Sequence, residues 1–367
     1  MHYYGTYALA RAAGLRQDAA RVIATAAQYV DDSTGLPNAV VHPDGARFHI
    51  DASSHHPFNL PANNNLDDQQ LVWVPFHFLP GGEGTTQSQK LMCVKNSRFA
   101  QAMRDHHLDQ EKAFFWLELM GITAHVYADT FAHYGFSGVS SRCNRVLPDS
   151  IKTENFSDTK GFLDRFFAKF GQQNAFENFR NRISGALGQA GTMLNPEATG
   201  ALGHGAVATL PDQPYLRWSY SYEMPLYAGT PSVARDNAQD YEDAAAALYA
   251  MFRQVGARMP QYAEGPGLAF DTDVQPKVRQ IIRTEAPTAD RIEIWKTAMA
   301  SGTFLGRAET IPPYNADDWR GDVQKLSTYP TAQDATTQSA YRFHRAAHIH
   351  RNYVLMELLP RMGVYII

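Results

Sequence analysis

An all-α fold follows from three observations on the sequence. Residues 113–137, AFFWLELMGITAHVYADTFAHYGFS, form an uninterrupted apolar run of helical character. Alanine-rich amphipathic patterns recur on both sides of it, and no strand-rich block or internal repeat breaks the series. With 367 residues and 44% hydrophobic content the chain can bury a sizeable core.

The elements are read in chain order. Residues 3–13 and 17–30 predict two alanine-rich opening helices, broken at Gly14, with Asp18 near the second start. From 31 to 84 the pattern changes. Gly35, Pro37, Pro43, Gly45, Pro57, Pro61 and Pro80 leave room for short strands at most, and a loop that long in a compact domain is usually functional. Helical character resumes over 89–107 and dominates 110–134. Residues 155–194 predict two amphipathic helices, with Phe162, Phe166, Phe167, Phe170, Phe176 and Phe179 as their buried stripe. After a loop-like stretch at 200–231, residues 232–259 predict a helix whose early acids Asp236, Asp240, Glu242 and Asp243 suit its dipole. Further helices are expected near 278–282, 290–299 and 334–359. The expected organisation is a helical metal-binding catalytic domain over 1–260, with a C-terminal helical segment, 261–367, packed on it.

Composition excludes several classes of function. A net charge of −4, spread without a basic block, lacks the electrostatic footprint of a general nucleic-acid binder. No run of eighteen apolar residues exists, because the longest candidate contains Glu118, Asp129 and two histidines, so no transmembrane segment is expected. Cys93 and Cys143 cannot build a thiolate metal cluster, which leaves the fourteen histidines as nitrogen donors. The opening MHYYGTYALARAAGL lacks the pattern of a secretory leader. The expectation is a cytoplasmic protein, or one exported by a signal-independent route, unless a leader has been removed.

His125, Asp129 and His133 follow one another at four-residue steps on the central apolar run. Each step turns the side chain by about 40° and raises it about 6 Å, so the three share one helix face. The two histidines lie about 12 Å apart along the axis, too far for one ion with bonds of about 2 Å, whereas the carboxylate between them can bridge two. Asp31 and Asp32 close an apolar helix at its C-terminus, where acids oppose the dipole unless something positive faces them. His77 is bracketed by aromatics and prolines in WVPFHFLP, and His204 by glycines, with Asp212 soon after. His2 sits just before the first helix. By contrast the pairs His55-His56 and His106-His107 lie in polar surroundings and are expected at the surface. His344 and His348 share a helix face, but Arg342, Arg345 and Arg351 crowd it with positive charge that disfavours a cation site.

Together these segments resemble the superfamily of zinc-dependent phospholipases C and single-strand-specific nucleases, all-helical enzymes with a three-zinc cluster. The match is strongest over AFFWLELMGITAHVYADTFAH and extends, with unmatched segments, over about residues 1–220. The wording HYYGTYALARAAG and AAQYVDD also resembles an uncharacterised bacterial branch related to that superfamily. The resemblance implies a multi-helix phospholipase C-like bundle with long loops, holding two or three Zn2+ ions on His2, Asp31, His77, His125, Asp129, His133, His204 and Asp212. His49, His55 and His56 compete with His77 for its place. In the superfamily the mature N-terminal residue itself ligates zinc, whereas Met1 precedes His2 here, and the last His–Asp pair is one turn apart rather than eight residues.

The function implied is zinc-dependent phosphodiester hydrolysis, most simply phospholipase C-like cleavage of a phospholipid, with possible peripheral membrane contact. Asp32, or Asp31, would orient or deprotonate the attacking water. Phe76, Tyr134, Phe136 and Trp218 are candidates for the pocket wall or, equally, for the core. The alternatives are a single-strand-specific nuclease or nucleotidase with nucleic acid as its partner, and a non-enzymatic protein with structural zinc.

Overall fold

A computed structural model describes residues 1–34, 39–55, 65–147, 150–154, 202–207, 209–224 and 232–366. The protein is mostly helical, with two small antiparallel sheets among the described residues. The expected helices at 155–194 and their phenylalanine stripe lie outside these residues.

Helix α1 (Tyr4–Ala12) leads through a turn at Gly14 into α2 (Gln17–Asp32). A hairpin of β1 (Ala39–Val41) and β2 (Arg47–His49) follows, with Val40 opposite Phe48. Then come α3 (Arg98–Leu108), whose first turn is capped by the Ser97 hydroxyl, and α4 (Trp116–Ala132). Leu117 is the only residue of α4 that is not buried. A helix apolar on every side cannot sit at a surface, so α2, α3, α5 (Asn237–Arg258) and α9 (Ser339–Asn352) all pack around it.

The second sheet joins β3 (Lys152–Thr153), β4 (Arg217–Ser221) and β5 (Ser232–Asp236). This corrects two readings: the stretch 200–231 contains a strand, and the helix expected from 232 starts at Asn237. Trp218 and Tyr220 point into a small apolar core with Phe78 and Phe136, and pairing of β4 with β5 from Arg217 to Ser221 buries them. Asp236 ends the strand and caps α5 through its carboxylate, which accepts from Gln239 N–H. Helices α6 (Gln275–Arg283), α7 (Thr288–Ala300) and α8 (Ala316–Lys325) precede α9.

Two histidines expected at the surface are buried. His107 Nε2 donates to His350 Nδ1 at 3.0 Å, and His350 Nε2 donates to the carbonyl of Pro75 at 2.8 Å. His55 lies beneath the chain near Asp68. Polar sequence neighbours do not report burial here, because both rings are covered by residues remote in the chain. His106 remains partly exposed and stacks on Tyr353, while His56 lies outside the described residues.

Helices α2 and α4 touch at Gly121. A Cβ there would stand 2.4 Å from both Ala26 Cβ and the Ile23 carbonyl oxygen. In an ordinary helix interior, alanine would replace glycine with a gain of about 0.5–1 kcal/mol. Here Gly121→Ala should instead destabilise by roughly 1–3 kcal/mol, because the helices must separate. Thermal unfolding measures the sign.

Acid should act through a different pair. Burial drives the imidazoles of His344 and His350 down to about 4, whereas an unfolded histidine titrates near 6.5. The fold holds both neutral, so on acidification the unfolded chain takes up protons first. Their contribution is complete above about pH 6.5 and is lost as pH falls toward 4, by about 1.4 kcal/mol per unit for each ring. In chelator-treated protein, His344→Gln/His350→Gln should flatten the loss of Tm between about pH 6.5 and 4.5; an unchanged slope would contradict this origin.

Candidate metal centre

The convergence begins with α4, whose buried face carries His125 and Asp129 one turn apart. Close packing at Gly121 brings the end of α2 alongside, so that Asp31 Oδ1 lies 3.9 Å from His125 Nε2. The short helical turn Val74–Phe76 ends at His77, which adds Nδ1 at 3.3 Å from His125 Nε2 and 3.3 Å from Asp129 Oδ2. His125 Nε2 is itself 3.1 Å from Asp129 Oδ2. Four donor atoms from three segments thus face a common centre.

The helix ends just before His133, whose backbone has left helical geometry as the C-cap. Its ring still lies beside Asp129, with Nδ1 3.5 Å from Oδ2, while Nε2 faces the other way. His133 Nε2 meets Asp212 Oδ1 at 3.3 Å, and His204 Nε2 lies 3.9 Å from Asp212 Oδ2. His204 reaches this point because Gly203 adopts a φ of 52°, and a Cβ there would stand 2.5 Å from Phe78 Cζ. A third approach comes from His2, whose Nε2 lies 3.2 Å from Asp129 Oδ1. All eight residues singled out from the sequence meet in one region.

The tautomers are set from behind. His125 Nδ1 lies 2.8 Å from the carbonyl of Ala27, His77 Nε2 2.9 Å from that of Ser53, and His133 Nδ1 2.9 Å from that of His77. Carbonyls only accept, so each ring donates outward and a neutral ring presents an unprotonated nitrogen inward. On a neutral His77 or His125 ring the inward atom is then a lone pair facing Asp129. Donors bonded at about 2.0–2.2 Å to a tetrahedral ion lie about 3.3–3.6 Å from one another, close to the spacing around Asp129. The donor set fits a divalent cation.

Electrostatics follow the same arrangement. Burial lowers the His125 and His2 pKa values, against the pull of Asp129. Burial alone would raise Asp129, but His125, His133 and His2 hold it well below the carboxylate range. Burial likewise opposes protonation of His133, yet Asp129 and Asp212 keep its pKa at about 9. Asp31 is raised, chiefly by desolvation. Asp32 turns aside and accepts from the Tyr314 hydroxyl at 2.7 Å.

The competitors for the place of His77 separate cleanly. His49 is exposed and meets Asp51 at 3.3 Å and the His348 ring at 5.2 Å between centroids, with His348 3.5 Å from the same carboxylate and Arg351 paired to it, a separate cluster from the donors around Asp129. His55 faces Asp68 at 3.5 Å.

Residues 1–358 match the model of DUF6765, described as a family of unknown function. The chain belongs to that family. No curated protein and no solved structure matches it.

A cavity of about 730 Å³ opens beside the donors and reaches Asp31, Asp32, His133, His204 and Asp212. Of the aromatics considered for its wall, Phe76, Phe136 and Trp218 are wholly buried, and Tyr134 packs against Arg235. The wall is formed instead by Trp73, Phe78 and Tyr241. Arg291 and Arg320 complete it, and sequence reasoning missed both. The one sequence signal for Arg291 is a cation in the first turns of a helix, where the dipole opposes it.

Asp129 contacts more of the converging imidazoles than any other acid. Asp129→Asn should therefore lose more bound metal, measured by plasma emission after metal-replete expression, than His204→Ala. An equal or smaller loss would remove the bridging role.

Proposed function

We propose that the protein is a zinc-dependent phosphodiester hydrolase of the phospholipase C type. The observation that carries this reading is the approach of His77 Nδ1 and His125 Nε2, 3.3 Å apart beside Asp129, with both outward N–H groups committed to backbone carbonyls. Buried lone pairs and carboxylates facing one another are costly without a cation between them. Nitrogen and oxygen donors suit zinc, and the set of three at His133, His204 and Asp212 would leave a position for water or substrate.

Asp31, His77, His125 and Asp129 would hold one ion, His133, His204 and Asp212 a second, and His2 with Asp129 a third. Zinc bound there supplies the charge that lowers the pKa of water toward about 7 and stabilises the phosphate as it is attacked. Asp32, fixed by Tyr314 on the cavity wall, orients the attacking water and takes its proton. Trp73 and Phe78 offer an apolar wall to the lipid portion of a phospholipid. The acidic net charge favours such a substrate over a long polyanion.

Purified protein should carry at least two equivalents of zinc and release a phosphorylated head group from phospholipid vesicles, with both lost on chelation. Cleavage of single-stranded DNA or RNA with lipid untouched would transfer the assignment to a nuclease, which shares the same metal donors. Zinc retained without either activity would leave a structural role.

A further inference from the structure

We propose that Arg291 is the anion-binding residue of this site: its guanidinium takes non-bridging oxygens of the substrate's phosphate and confines the substrate class to phosphate esters that retain a negative charge. The inference rests on the hydrolase reading and names what that site recognises.

Several buried or half-buried arginines have acids against them, whereas the half-buried Arg342, on α9 away from this cavity, has none within ion-pair distance among the described residues. Arg11 meets Glu309 at 2.6 Å and Glu264 at 2.9 Å, Arg320 meets Asp317 at 3.0 Å, and Arg351 is paired with Asp51. Arg291 has neutral acceptors instead. Its Nη1 donates to Gln213 Oε1 at 3.0 Å and to the Ala286 carbonyl at 3.2 Å, and Nη2 donates to Thr288 Oγ1 at 3.0 Å. Among the described residues no carboxylate stands within ion-pair distance of it.

The charge is therefore fixed in place by neutral groups, with the Tyr215 ring 5.8 Å away, and has no ion pair among the described residues. Desolvation lowers its pKa, although Tyr241, Tyr215 and Asp212 work the other way. Its helix dipole is also unfavourable, since Arg291 stands near the N-terminus of α7. A fold that accepts these costs gains from an anion that arrives with the ligand.

Location ties that anion to the donors. Arg291, Thr288 and Tyr241 line the same cavity as His204 and Asp212, and the Gln213 that holds Arg291 is the chain neighbour of Asp212. A guanidinium has five N–H groups, and three are engaged here. The remaining two can meet phosphate oxygens, as a planar fork does and a lysine ammonium cannot.

Inorganic phosphate is the probe, titrated by calorimetry into zinc-loaded native protein and into Arg291→Gln and Arg291→Lys, with zinc content measured on the same samples. Arg291→Gln should weaken phosphate binding by about tenfold or more and raise KM for bis(p-nitrophenyl) phosphate, with zinc unchanged. Arg291→Lys keeps the charge but not the fork, and should fall between the two. Should the glutamine variant fail to fold, the lysine variant decides, with a several-fold loss expected. Native affinity in a folded variant, or a zinc-loaded native protein that does not bind phosphate, overturns the proposal. Native protein without zinc would instead overturn the hydrolase reading.

Discussion

Helices α2 and α4 meet through alanine and glycine, and the geometry around His125 depends on how closely they approach. Because α4 is buried nearly all round, it must be sheathed, and Ala26 and Ala27 of α2 let backbone come up against backbone at Gly121. Two consequences reach the site. The carbonyl of Ala27 receives the outward N–H of His125, and the last turn of α2 delivers Asp31 to the opposite side of the same ring. A wider spacing would lose both together.

Backbone oxygens from loops complete the arrangement. Ser53, which receives His77, is held by its own hydroxyl against the Val30 carbonyl, and Ser33 bonds the Asp51 carbonyl beside it. Arg351 from α9 ties down the Asp51 side chain. The long segment after α2 thus acts as a clamp on an imidazole, which is why so much chain can leave regular structure without losing order at the donors.

The C-terminal elements shape what the donors face. Glu309 forks onto Arg11 and accepts from Tyr7, while Pro312 accepts from Tyr3, so α1 is pinned at the end that presents His2. Tyr314 secures Asp32, and α7 contributes Arg291 to the cavity. The cavity wall is therefore divided between residues far apart in the chain from the converging histidines and aspartates. Membership of a family whose function is unknown adds no constraint on chemistry, so the reading rests on the donors and this wall.

Periodicity and residue type were enough, by themselves, to determine that the chain is mostly helical, that 113–137 contains a buried core helix, and that His125 and Asp129 share a face, because these follow from the constant turn per residue. They also marked Asp31 as an acid at an unfavourable helix end. Other features depend on contacts between distant segments, to which local pattern is blind. Only the tertiary structure put His77 rather than His49 or His55 beside His125, brought Asp212 to the far nitrogen of His133, buried His107, made a strand of 217–221, and placed Arg291 beside the site with no ion-pair partner among the described residues. In each case the deciding energy is desolvation against partners remote in the chain, which appears only when the chain has closed on itself.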